Sequence, residues 1–291
     1  MTENAGNTQS TQSTNGTQNM TVLVTGATGK TGRRVAEAAE AAGCTVRAAS
    51  RSGAVRFDWY DTSTWDDALR GADAAYLAYM PDVGAPGAGD TVGALARRAV
   101  ELDVRRLVLL SARGEDQAEP AERAVRESGA EWTVVRASWF AQNLSEGPLL
   151  EDMRAGELVF PAGEVLEPFI DARDIGDVVV AVLRPDSGYA GRVVEISGPR
   201  LLSFRDAVGE VSAAVGREIR YVPVSAREYG GALAEYGVPA EEAEFLIELF
   251  ETNLDGRNAY LSEGVREILG RAPRDFADFA REQAEAGVWK A

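Results

Sequence analysis

Thr21-Val-Leu-Val-Thr-Gly26-Ala-Thr-Gly29-Lys-Thr-Gly32 runs from a short, β-branched apolar stretch into three glycines spaced three apart, and a helical pattern follows from Thr31 to Ala42. That order predicts a strand, a tight glycine turn and a helix. Each glycine has a separate task in a dinucleotide-binding turn: Gly26 permits the bend, Gly29 lets the backbone approach a pyrophosphate, and Gly32 lets the helix sit close to the sheet. The helix N-terminus supplies amide donors and positive potential toward the same anion. Gly29-Lys30-Thr31 is not the end of a Walker A loop, because that motif needs a glycine at position 24, which is Val24.

The pattern continues outward from this turn. Strands are expected at Thr45 to Ser50, around Val55 to Asp58, at Ala74 to Met80, Arg106 to Ser111 and Trp132 to Arg136, with helices near 90–102 and 120–128. Alternation at this spacing predicts an α/β fold, a Rossmann-like doubly wound parallel sheet. Further on, Leu158 to Pro161, Arg192 to Ile196 and Glu218 to Val224 read as strands, 174–183 as a helix, and Glu235 to Glu251 as an amphipathic stretch with Phe245, Leu246, Leu249 and Phe250 on one face. The expected organisation is a polar, disordered tail over 1–19 and a dinucleotide-binding domain over 20–145, to which 168–198 returns. A smaller α/β substrate-side lobe takes 146–167 and 199–291.

Composition removes whole classes of function. The 291 residues carry 46 acids against 30 bases, a net charge of −16, which repels nucleic-acid backbones and anionic membranes. No apolar run approaches the roughly 20 residues of a membrane span, and the expectation is a cytoplasmic protein, monomer or homodimer, that acts on a small molecule. There is no histidine, Cys44 is the one cysteine, and Lys30 and Lys290 are the two lysines. Imidazole chemistry, a Cys/His metal cluster and an internal disulfide are therefore excluded.

The second strand ends in Ala48-Ala-Ser50-Arg51-Ser52, without the acid that binds an NAD ribose. A hydroxyl and a guanidinium there suit the 2′-phosphate of NADP(H). Asp58 either accepts from the adenine amino group or closes a turn.

With the glycine turn and Ser50-Arg51, the stretch Arg56-Phe-Asp-Trp-Tyr-Asp-Thr-Ser-Thr-Trp65 resembles the NmrA-like family of atypical short-chain dehydrogenases/reductases. The group most resembled is that of the festuclavine dehydrogenases. Arg105-Arg-Leu-Val-Leu-Leu-Ser111, Ser128-Gly-Ala-Glu-Trp-Thr-Val-Val-Arg136, Trp139-Phe-Ala-Gln-Asn143 and Phe169-Ile-Asp-Ala-Arg-Asp174 carry the likeness, which runs from about residue 21 to 282. It implies cofactor contacts at Gly26, Thr28, Gly29, Lys30, Thr31 and Gly32 for the phosphates and at Ser50 and Arg51 for the 2′-phosphate. It also implies that Ala78, Tyr79 and Met80 with Ser111, Ala112 and Arg113 border the nicotinamide.

Ordinary members of that superfamily use Tyr-x-x-x-Lys as proton donor, but position 26 is Gly and position 286 is Ala, so neither lysine completes the motif. A missing acid favours acceptors that need little protonation: a cyclic imine or iminium, a quinone, or a related conjugated natural-product intermediate. Tyr79, Ser111 and Trp139 are the candidate catalytic residues, and Trp139, Phe140, Asn143 and Phe169 the candidate substrate contacts. Asp171 and Asp174 read as helix-cap and fold residues. The leading expectation is an NADPH-dependent oxidoreductase. The alternatives are a non-catalytic NADP(H) sensor acting through a protein partner and a natural-product tailoring or coupling protein.

Overall fold

In the computed structural model, which describes residues 20–290, the first strand β1 (Thr21–Thr25) is buried on both faces. Leu23 points into one apolar layer while Val22 and Val24 point into the other, the period-2 signature of a central parallel strand. Helix α1 (Gly32–Ala41) follows, then β2 (Thr45–Ser50), β3 (Val55–Arg56), α2 (Trp65–Leu69), β4 (Ala74–Leu77), α3 (Ala88–Glu101), β5 (Arg106–Ala112), α4 (Glu119–Arg126) and β6 (Glu131–Ala137). The tail expected over 1–19 lies outside the described residues.

Beyond β6 come α5 (Leu149–Ala155), β7 (Glu157–Phe160), β8 (Leu166–Glu167), α6 (Ala172–Leu183), β9 (Arg192–Ile196), β10 (Leu202–Ser203) and α7 (Phe204–Val215). The chain ends with β11 (Arg220–Pro223), α8 (Ala226–Glu235), α9 (Ala240–Asn253), α10 (Gly264–Leu269) and α11 (Phe276–Glu285). Seven strands form one sheet in the order β3-β2-β1-β4-β5-β6-β9, and every pairing in it is parallel. The fold is the Rossmann-like α/β sheet that the sequence predicts. Its order reverses between β1 and β4, the switch point beyond whose carboxyl edge open α/β sheets bind ligands.

Two layers cover the sheet: α2, α3 and α4 pack on one face, α1, α6 and α10 on the other. A third core, with Phe160, Phe169, Phe204, Phe279 and Trp289, holds together β7, β8, β10, β11 and the helices around them. Those four strands form two separate pairs, β7 with β11 in parallel and β8 with β10 antiparallel. Asp171 caps α6 by accepting from the Arg173 amide, and buried Asp174 binds Arg271, Arg274 and the Arg274 amide.

Several boundaries differ from the sequence reading, among them β3, which is Val55–Arg56 and not Val55 to Asp58, and two have clear local causes. The fourth strand stops at Leu77 instead of Met80, because Ala78 turns its amide to the Thr25 hydroxyl and its carbonyl to the Trp59 indole, leaving the ladder. The amphipathic stretch 235–251 is divided: Glu235 ends α8, Gly237 takes a left-handed φ of +89°, and Pro239 precedes the first residue of α9. Among the described residues no helix is long and apolar enough to cross a membrane.

Candidate active site

Gly26 sits at φ +61°, and its carbonyl accepts from the Gly29 amide at 2.8 Å, so the chain reverses at once after β1. A Cβ on Gly32 would lie 2.1 Å from the Gly26 carbonyl oxygen, a contact that only glycine avoids. The turn thus brings the N-terminus of α1 against the strand end, with buried Thr31 held by the Tyr76 hydroxyl at 2.9 Å. Thr28 is exposed at the tip. Lys30 reaches sideways to Asn143 Oδ1 at 2.6 Å, and burial lowers the pKa of its ammonium.

At the carboxyl end of β2 the Ser50 hydroxyl is buried and has no partner within the protein, while Arg51 beside it is exposed. An orphaned hydroxyl next to an exposed guanidinium, one strand from the glycine turn, fits a ribose 2′-substituent. Asp58 uses Oδ1 to accept from the Tyr60 amide, closing its own turn. Tyr79 is buried edge-on against Trp59 with ring centroids 5.0 Å apart, and Met80 is exposed, its carbonyl accepting from the Tyr60 hydroxyl. A hydrogen bond to Tyr79 pushes the Tyr60 phenol up to about 12.

Past the carboxyl ends of β5 and β6 lies a cavity of about 190 Å³. Ala112 ends β5 and Arg113 follows it, Trp139, Phe140 and Asn143 follow β6, Glu167 comes from β8, and Leu249, Phe250 and Asn253 from α9. The Lys30–Asn143 hydrogen bond ties this cavity to the glycine turn. Phe169 is not on the wall: it is packed in the lobe's core against Phe204 and Phe276, at 5.1 and 5.3 Å. Tyr79 also stands outside the lining, and the Ser111 hydroxyl is turned away to Glu122, to which it donates at 2.6 Å.

Several polar atoms of the residues that line this cavity have no hydrogen-bond partner within the protein. Nine buried side-chain atoms among the described residues lack a hydrogen-bond partner, and six belong to its lining: Arg113 Nε and Nη1, Glu115 Oε1, Trp139 Nε1, Glu167 Oε1 and Asn253 Oδ1. Leaving such an atom unpaired costs about 1–3 kcal/mol, so the grouping of these residues around one cavity makes it the candidate ligand site. Arg113 spends only Nη2, on the Asn258 carbonyl at 2.6 Å, and lies 4.1 Å over the Tyr260 ring. Burial lowers its pKa, with Tyr260, Glu195 and Glu167 opposing.

Burial also pushes Glu167 up to about 7, against the pull of Arg113. Burial and a hydrogen bond to Asp82 push Glu115 up as well. Two carboxyl groups that hold protons near neutrality therefore line the cavity. Glu115, Glu167 and Asp82 escape a sequence reading because they come from loops and a two-residue strand far apart in the chain. The one local signal is that Glu167 stands two residues before Phe169, where a matching stretch begins.

This chemistry has a stability consequence. A native Glu167 that titrates near 7 instead of 4.5 binds more protons than the unfolded chain between those values, so stability falls as pH rises through that window. The cost above pH 7 is about 3 kcal/mol. Glu167→Gln should match the parent at pH 4.5 and melt several degrees higher at pH 8, read by thermal unfolding at both pH values.

The NAD(P)H-binding family model matches residues 26–186, and the NmrA-like family model matches residues 116–276. The chain belongs to the NmrA-like, NAD(P)H-binding family. Prestalk A differentiation protein A of Dictyostelium discoideum is 32% identical over 78% of this chain and 75% of its own. The (4-alkanoyl-5-oxo-2,5-dihydrofuran-3-yl)methyl phosphate reductase of Streptomyces griseus is 33% identical over 78% of this chain and 81% of its own. Agroclavine and festuclavine dehydrogenases are among its relatives too, as the resemblance implied. The NADPH-dependent quinone oxidoreductase of Escherichia coli, solved with NADPH, shares the fold, with a TM-score of 0.70 at 18% identity over 90% of this chain and 99% of that one. This NmrA-like protein is an NAD(P)H-dependent oxidoreductase.

Proposed function

We propose that this NmrA-like protein is an NADPH-dependent reductase of a flat, conjugated carbonyl acceptor such as a quinone or an enone. The observation that carries this is Arg113, a buried guanidinium with two unpartnered N–H groups in the cavity where the strand ends meet. A fixed cation repels an iminium acceptor and stabilises an oxygen that gains negative charge, so the carbonyl acceptors are favoured over the cyclic iminium. Trp139, Phe140 and Phe250 supply apolar walls for a flat ring. A sensor that only held cofactor would have no use for six unsatisfied polar atoms beyond the sheet edge. The reductase of a dihydrofuranone phosphate among its relatives and the fold of the quinone oxidoreductase support the same class.

The bound nicotinamide would supply hydride. Gly26, Thr28, Gly29, Lys30, Thr31 and Gly32 would hold its phosphates, and Ser50 and Arg51 the 2′-phosphate. Ala78 to Met80 and Ser111 to Arg113 would border the ring. Leu249 and Phe250 of α9, on the cavity wall, would shield the reacting atoms from water. Asn143, already bound to Lys30, would link cofactor position to acceptor position.

Two measurements test this. NADPH oxidation followed by absorbance should proceed with quinones and cyclic enones and at least tenfold more slowly with cyclic iminium ions; the reverse order would overturn the reading. Arg51→Glu should raise the NADPH dissociation constant at least tenfold while changing that for NADH by less than threefold, because only NADPH carries the 2′-phosphate. Equal effects on both cofactors would remove Arg51 from phosphate recognition.

A further inference from the structure

We propose that Arg113 and Glu167 together form the oxygen site of the cavity, with Arg113 Nε–H and Nη1–H and Trp139 Nε1–H holding the acceptor's carbonyl oxygen and Glu167 supplying the proton that this oxygen takes up. The proposal rests on the reductase reading and gives it the acid that the absent Tyr-x-x-x-Lys pair leaves missing. Three facts place these groups together. Both Arg113 and Glu167 are 2% exposed, both line this cavity, and Arg113 Nε and Nη1 and Glu167 Oε1 have no partner within the protein. Arg113 and Glu167 also act on each other electrostatically, yet no ion pair closes between them, so the space beside them is open to a third group.

The chemistry balances with these parts. A C–H bond forms at the acceptor with the hydride of a reduced nicotinamide, the carbonyl π pair moves to oxygen, and an O–H bond forms with the Glu167 carboxyl proton. Glu167 is left as a carboxylate beside Arg113 and regains a proton from water before the next cycle. The charged group that acts on Glu167 is Arg113 after β5; Glu115, on the same connection, and Asp82, after β4, line the same cavity. The residues from α9 and β10 at this place, Leu249, Phe250, Asn253, Leu202 and Ser203, carry no charge. Glu167 holds its proton near neutrality through burial, with Arg113 limiting the rise. A donor poised near the working pH is what general acid catalysis asks for.

The first experiment uses the protein loaded with NADP⁺, which cannot transfer hydride, and 4-nitrophenol as probe, because its phenolate absorbs at longer wavelength than the phenol. Binding should favour the phenolate at least tenfold over its solution balance at the same pH, and Arg113→Met should abolish that preference. Equal ionisation of the bound probe in parent and Arg113→Met, or no binding to the loaded protein, would overturn the oxygen site. The second uses Glu167→Gln, which keeps the side chain's shape and carries the test if Arg113→Met does not fold. Its kcat/KM for quinone reduction at pH 6 should fall at least thirtyfold, and the decline of the parent's rate above about pH 7 should vanish. A rate within threefold of the parent, with the same decline, would remove Glu167 as the acid. If NADPH binds and no acceptor is reduced, the reductase reading fails, and the nitrophenol titration still decides whether Arg113 holds an oxyanion.

Discussion

Replacing Gly32 with alanine should cost both stability and cofactor affinity far beyond what the same change does at Gly29. The added Cβ would meet the Gly26 carbonyl oxygen at 2.1 Å, its carbon at 2.6 Å and the Ala27 Cα at 3.0 Å, all backbone atoms of the turn proposed to receive the phosphates. None of them is the end of a flexible side chain. Relief requires α1 to move away from β1 by more than an ångström, yet α1 is held from behind by α6 and by buried Val35 and Ala39. At Gly29 the corresponding Cβ meets one atom, the Gly26 oxygen, at 3.2 Å, which a small adjustment absorbs. We expect Gly32→Ala to lose about 3 kcal/mol or more, in the range of overpacking at its upper end. NADPH affinity should fall at least thirtyfold, because the helix N-terminus no longer stands where the pyrophosphate meets it. Gly29→Ala should lose under about 1 kcal/mol. Thermal unfolding and NADPH titration of the pair decide this: similar effects from both would mean that the close approach at Gly32 does not position the cofactor site.

The contrast also shows what kind of information a sequence carries. The turn at Gly26 and the close packing at Gly32 were readable because they are local, set by spacing of three between a strand and a helix. The sheet was readable for a related reason: β1, β4, β5 and β6 are apolar runs that need burial on both faces, so their alternation with helices leaves few topologies. Trp139 and Phe140 were legible as aromatics just past β6, whereas Phe169 belongs to the lobe's core because its neighbours are Phe204 and Phe276, distant in the chain. The acids went unread for the opposite reason. Glu115 and Glu167 look like any two of 46 acids until the fold buries them, and burial, joined at Glu115 by Asp82, raises their proton affinity. Helix boundaries at 235–251 depend on Gly237 and Pro239, two local breakers that lie inside a long amphipathic pattern.

Glu122→Ala should be the other severe substitution, and it separates structure from catalysis at the end of β5. Glu122 is 1% exposed on α4 and accepts from Ser111 Oγ at 2.6 Å, Arg136 Nε at 2.8 Å, Arg136 Nη2 at 2.6 Å and Arg126 Nη1 at 3.3 Å. Ser111 and Arg136 are register partners on β5 and β6, so one carboxylate clamps the two strands whose ends carry Arg113 and Trp139. Removing it leaves the Arg136 guanidinium with Glu119 at 3.9 Å as its remaining near acid on α4, and the Ser111 hydroxyl without its acceptor. Breaking a buried pair in this way costs about 3–5 kcal/mol. Glu122→Gln keeps an acceptor for Ser111 and should lose less. Ser111→Ala then asks the catalytic question. A hydroxyl committed to Glu122 is absent from the cavity, so Ser111→Ala should lower stability by about 1 kcal/mol, the worth of one hydrogen bond, and leave kcat for quinone reduction within threefold of the parent. A hundredfold fall in kcat with unchanged stability would mean that Ser111 turns from Glu122 to the substrate during the reaction. In that case the proton path would run through β5 itself and not across the cavity from Glu167.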